Sequence, residues 1–168
     1  MPARKKPRRA CRDYEREWNG LCVDKNLEND WLMRLNSLQC FRPISICEGH
    51  AARKIGATRT YPHVKLRLQD QFLSGIAGHW DRLKPVISDE LHTLFCSADT
   101  YVEIDLRFRL RWGGSRFPCR EHLSVRIHSR QAKASKEMDA MTYKWFEQTV
   151  RRIEKLDGTV AAQICSAD

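Results

Sequence analysis

Strict two-residue alternation in the third quarter of the chain is the tightest constraint on its fold. Val102, Ile104, Leu106, Phe108 and Leu110 alternate with Glu103, Asp105, Arg107, Arg109 and Arg111. Leu123, Val125 and Ile127 then alternate with His122, Ser124, Arg126 and His128. Successive strand side chains point to opposite faces, so the pattern predicts two strands that each bury one face. Gly113-Gly114 between them has the composition of a two-residue hairpin loop. With those glycines as the loop, Ile104 faces Leu123, Val102 faces Val125 and Asp105 faces His122. Leu106 then opposes Glu121, and Pro118 demands an edge or a bulge in the second strand.

The other elements read less sharply. A first helical stretch is expected in two pieces, 11–18 and 27–39, broken at Asn19-Gly20. The second piece repeats Leu27, Trp31, Leu32, Leu35 and Leu38 at helical spacing, with Asn26 as its cap. RPISIC (42–47) reads as a short strand and 48–60 as a basic loop. YPHVKLRLQ (61–69) alternates Val64, Leu66 and Leu68 with His63, Lys65 and Arg67. A helix is expected over about 81–95, with Pro85 either in its first turn or kinking it. A last helix is expected over 136–157, capped by Ser135 and ended by Asp157-Gly158, with Met138, Met141, Trp145, Val150, Ile153 and Leu156 as its apolar stripe. The order α-β-β-α-β-β-α predicts an α+β two-layer sandwich: about four mainly antiparallel strands with helices packed on one face. Residues 13–158 form its single domain and 159–168 a loose tail. No apolar run approaches the roughly 18 residues of a membrane span.

Charge separates a segment from this domain. Of 168 residues, 30 are Lys or Arg and 21 are Asp or Glu, a formal +9. Arg4, Lys5, Lys6, Arg8, Arg9 and Arg12 lie in the first 12 residues, which carry no acid. This predicts a disordered basic arm that attracts polyanions by counterion release. No apolar segment follows the arm, so it does not read as a secretory signal. Seven cysteines, with no CxxC, predict free thiols and a cytoplasmic location rather than a disulfide framework.

The polar faces of the strands carry Lys65, Arg67, Arg107, Arg109, Arg111 and Arg126 against Glu103 and Asp105. With the arm, this face suits sequence-independent contact with nucleic acid or another polyanion, without catalysis. Aromatic stacking positions of an RRM-type sheet are lacking. The bland alternative is a solvated face with cross-strand ion pairs.

Three patterns point to chemistry instead. Cys47-x-x-His50 and Cys119-x-x-His122 together offer a Cys₂His₂ ligand set for zinc. Glu48, His50 and His63 flank the loop after the first sheet strand and suit a metal-dependent hydrolase acting on an anionic substrate, with Arg53, Arg59 or Arg67 to bind it. Asp105 opposite His122 resembles half of a general-base pair, with Ser124 or Cys119 as nucleophile. A third reading is a subunit of an assembly, in which Trp112 and the cationic face meet an acidic protein.

Overall fold

The computed structural model describes residues 10–50, 61–69, 76–97, 99–107, 122–131 and 138–165, with only the backbone for 76–84, 106, 107, 122, 164 and 165. Among these residues are six strands and three helices. They are β1 (Glu15–Trp18), β2 (Leu21–Asp24), α1 (Asn29–Asn36), β3 (Phe41–Cys47), β4 (His63–Leu68), α2 (Ile76–Phe95), β5 (Thr100–Arg107), β6 (His122–Ser129) and α3 (Ala140–Cys165). The fold is mixed α+β, with one two-stranded and one four-stranded antiparallel sheet.

The order begins with a hairpin, not with the expected first piece of helix. Asn19 and Gly20 both have positive φ, 46° and 78°. That is the backbone of a type I′ turn, whose twist matches two flanking strands. Asn-Gly is therefore the closing loop of β1 and β2, and Glu15–Trp18 pairs with Leu21–Asp24. A disulfide joins Cys11 to Cys22 across this segment, contrary to the expectation of free thiols. It also bridges the expected boundary between arm and domain at residue 12. Of the free cysteines described, Cys40 is buried, Cys47 half-buried and Cys96 exposed.

The four-stranded sheet has the order β3-β4-β6-β5. Its inward residues Val64, Leu66, Leu68, Leu123, Val125 and Ile127 are fully buried. They share one core with Trp31, Leu32 and Leu35 of α1, Ile87, Leu91 and Phe95 of α2, and Phe146, Val150, Ile153 and Leu156 of α3. Ile104 faces Val125 and Leu106 faces Leu123, two residues from the expected register. A two-residue slip leaves every side chain on its own face. It also gives Leu106 an apolar partner in place of Glu121. Asp105 therefore faces Ser124, not His122.

Helix ends differ from expectation in instructive ways. Glu28, not Asn26, is the N-cap of α1 and makes no side-chain cap bond; the Asn26 amide donates to the Glu48 carboxylate instead. Helix α2 starts at Ile76, so Pro85 lies inside it. Asp139 Oδ1 accepts the Thr142 N–H at 2.6 Å and caps α3, while Met141 projects into solvent. The same helix runs past Asp157-Gly158 to Cys165, with Val160 fully buried, so 159–165 is not a loose tail. Asp157 is turned inward instead. Its carboxylate accepts the backbone N–H groups of Gln39, Cys40 and Phe41 at 2.7, 2.8 and 3.0 Å.

Above this clasp, Trp31 stacks on Phe146 and its indole N–H donates to Glu147 at 2.7 Å. Arg34 grips Glu154 through two bonds, of 2.9 and 2.7 Å. The Arg34 guanidinium holds the Glu154 carboxyl below the usual carboxylate range, and the Trp31 indole does the same for Glu147. Depressed folded-state values stabilise above the unfolded-chain pKa of about 4.3 and lose that contribution as pH falls through the folded-state value. Urea melts between pH 3 and 7 should show this acid limb, and Arg34→Met should flatten it. At neutral pH, Asp157→Ala strands the buried N–H donors of Cys40 and Phe41 and the part-buried one of Gln39 and should cost about 3 kcal/mol.

Candidate functional site

Cross-strand register lays rows of polar side chains across the four-stranded sheet. Cys47 pairs with His63, His63 with His128 and His128 with Tyr101. The next row is Ser45, Lys65, Arg126 and Glu103. A β-bulge between Pro43 and Ser45 shifts the register of β3 just before these positions. Bulges re-aim side chains and gather next to active sites.

The first row ends at β2. Asp24, at the last position of the hairpin, is buried. Its Oδ2 accepts the Glu48 N–H at 2.7 Å, and its Oδ1 lies 3.1 Å from His50 Nε2. Gly49 has φ of 85°, a conformation that glycine adopts without strain. This turn brings His50 back beside Cys47 and Asp24. One ligand atom from each of Asp24, Cys47 and His50 lies within 4.8 Å of the other two. Bond lengths of about 2.0–2.3 Å in a tetrahedral zinc site put ligand atoms roughly 3.3–3.8 Å apart. The His50–Asp24 pair, at 3.1 Å, lies just under that spacing, and all three ligand atoms lie within 4.8 Å of one another.

These three groups line a cavity of about 400 Å³ with Arg12, Tyr14, Cys22, Ser45 and His63. The Tyr14 ring stands edge-on against the His50 imidazole at 4.7 Å. Burial, then the neighbouring Asp24 charge, pushes the Cys47 thiol up to about 12. As a bare thiol it is therefore a poor nucleophile, whereas a bound cation would take the thiolate and release the proton. His63 is lowered by burial, against the contact with the Tyr61 carbonyl that raises it.

The predicted site residues divide accordingly. Cys47 and His50 come together, with Asp24 as the third group. His63 lines the same cavity, and Glu48 is buried beside it on Asn26. His122 does not join Cys47 and His50. It begins β6 and pairs with Arg107, six residues from the His128 that pairs with His63. At about 3.3 Å per residue that is roughly 20 Å along the strand. Asp105 and Ser124 share a row with Arg67, not with the cavity.

Lys65, Arg67 and Arg126 are half-buried rather than freely exposed. Arg126 lies 3.7 Å from Glu103, which also meets His128 at 3.3 Å. Arg107 contributes only its backbone position to the description. Arg4, Lys5, Lys6, Arg8, Arg9, Arg53, Arg59, Arg109, Arg111, Trp112, Gly113-Gly114 and Cys119 lie outside the described residues. Asp24 had no signal at its own position, since it enters the site through hairpin pairing. The Asn-Gly turn was the available clue.

The chain matches no known protein family, no curated protein and no solved structure. At pH 7–8, iodoacetamide should modify exposed Cys96 and spare Cys47 over the same interval. Peptide mass analysis should show Cys47 labelling only as pH is raised well into the alkaline range.

Proposed function

We propose that this cavity binds a zinc-type divalent cation through Asp24, Cys47 and His50 and hydrolyses an anionic substrate. The observation that carries the reading is the convergence of a carboxylate, a thiol and an imidazole from two separate chain segments. Thiolate and imidazole favour zinc over calcium or magnesium. Three protein ligands with one position left for water or substrate is the pattern of catalytic rather than structural zinc. The cation, when bound, supplies a Lewis acid and an acidified water. Arg12 at the cavity supplies positive charge for the substrate. Compared with the expected Glu48/His50/His63 set, His50 keeps a ligand role. Glu48 becomes a support for the hairpin through its backbone N–H.

Zinc titration followed by thermal unfolding tests this. Zinc at 100 times its Kd should add about 2.7 kcal/mol of stability. Cys47→Ser, His50→Ala and Asp24→Asn should each weaken zinc binding by at least about tenfold. Equal binding by all three variants overturns the assignment. A panel of phosphate and carboxylate esters, assayed before and after chelation, reads the hydrolytic half.

A second reading keeps the charge of the chain in view. With helices over the apolar sheet face in a two-layer packing, the rows holding Lys65, Arg67 and Arg126 lie on the opposite face, and the sequence adds the basic charge of its first 12 residues. Nucleic acid or another polyanion is the partner this suits. The test uses the full chain, because removing residues 1–12 would also remove the disulfide partner Cys11. Fluorescence anisotropy across a salt series should show a steep slope. Replacing Arg4, Lys5, Lys6, Arg8 and Arg9 by Gln should weaken it, and Lys65→Ala with Arg126→Ala should weaken it further. A slope unchanged by both sets removes this reading.

A further inference from the structure

We infer that Ser45 and His63 form a nucleophile–base pair for acyl transfer in the same cavity, directed at carboxylic esters. The inference deepens the hydrolytic reading of the cavity. It rests on that reading only for hydrolysis as the type of reaction, with the Ser45 hydroxyl in place of a cation-bound water as the nucleophile.

Hydrogen-bond geometry settles the direction of the pair. His63 Nδ1 lies 3.1 Å from the Tyr61 carbonyl oxygen. A carbonyl has no proton to give, so Nδ1 carries the hydrogen and donates it. In the neutral ring Nε2 then has only its lone pair. Ser45 Oγ lies 3.1 Å from that Nε2, so the hydroxyl donates and the imidazole accepts. A serine O–H aimed at a tautomer-fixed imidazole, itself oriented by a third group, is the arrangement that activates a hydroxyl for attack. Here a backbone carbonyl orients the base.

Placement agrees with this role. Ser45 follows the bulge in β3, and both side chains line the 400 Å³ cavity. Ser45 and His63 lie on neighbouring strands, which gives the pair a rigid frame. His128 packs on the other side of His63, with ring centroids 5.7 Å apart, and limits its rotation.

The chemistry balances without an added redox partner. Ser45 Oγ bonds to the ester carbonyl carbon while its proton passes to His63 Nε2. The bond from that carbon to the alcohol oxygen breaks, and the alcohol leaves with the proton from Nε2. Water then adds to the acyl-Ser45 carbon and gives a proton to Nε2. Release of the acid returns that proton to Ser45 Oγ.

A fluorophosphonate probe tests the pair apart from the cation. Attack by Ser45 Oγ forms an O–P bond and expels fluoride with the serine proton. Intact-mass and peptide analysis of the full chain, with zinc and with chelator, should find one label on Ser45. Ser45→Ala should abolish it. His63→Gln should slow it by about 100-fold or more, and circular dichroism melts confirm that each variant is folded. Should His63→Gln not fold, His63→Asn at the same position gives the same comparison. Labelling of Ser45 in the absence of bound zinc supports the pair even if the cation site fails. Zinc binding with no label on Ser45, or labelling at the same rate in a folded His63 variant, overturns the pair and leaves the cation site standing.

Discussion

The Asp157 carboxylate holds the molecule together where sheet and helices meet. One buried side chain on α3 receives three consecutive backbone N–H groups at the start of β3. Charge-assisted bonds of this kind are about twice as strong as neutral ones. They fix the point at which the chain leaves α1 and enters the sheet. Everything downstream on β3 is set from there: the bulge after Pro43, Ser45 on the polar face and Cys47 at the strand end. Arg34, Glu154, Glu147 and the Trp31 indole extend the same junction along the α1–α3 seam. The partly buried seam is polar at its rim and aromatic beneath it.

The candidate site is built differently from the core. No single element supplies it. β2 contributes Asp24, the end of β3 contributes Cys47, and a glycine turn returns His50. Buried carboxylate, thiol and imidazole groups are costly unless each finds a partner. Asp24 answers to both the Glu48 N–H and His50. Glu48 answers to Asn26. The side chains that hold the hairpin against β3 are thus the same ones that face the cavity.

Periodic signals carried much of this fold, and contacts between distant segments carried what they missed. Alternation in 61–69 and 122–128 marked which face of each strand is buried, because that face depends only on position parity; in β5 the same alternation overstated burial, since Ile104 on its apolar side is exposed. Pairing depends on the partner, so Ile104 settled against Val125 rather than Leu123 without any residue changing sides. Asp157-Gly158 looked like a helix end from local preferences alone. Its carboxylate instead serves a strand more than a hundred residues away in sequence, and the helix continues. At the site, Cys47, His50 and His63 stood out by residue type. Asp24 and Ser45 did not, since each acts only through a neighbour that folding supplies. The Cys11–Cys22 pair was hidden in the same way: cysteine count argued for free thiols, while hairpin geometry brought two of them together.

That hairpin has a dynamic consequence. Two four-residue strands make a marginal structure by themselves. Here the ribbon leans on β3, on the bonds to Asp24 and on one crosslink between residues 11 apart in sequence. From the ribbon only Val23 enters the core shared by the four-stranded sheet and its helices, with Trp18 and Leu21 packed at its margin. With so few of its side chains in that core, the ribbon is where local opening from β3 costs least among the described strands. Each such opening takes Asp24 away from Cys47 and His50. Amide exchange in residues 15–24 thus doubles as a clock for how often the cavity comes apart.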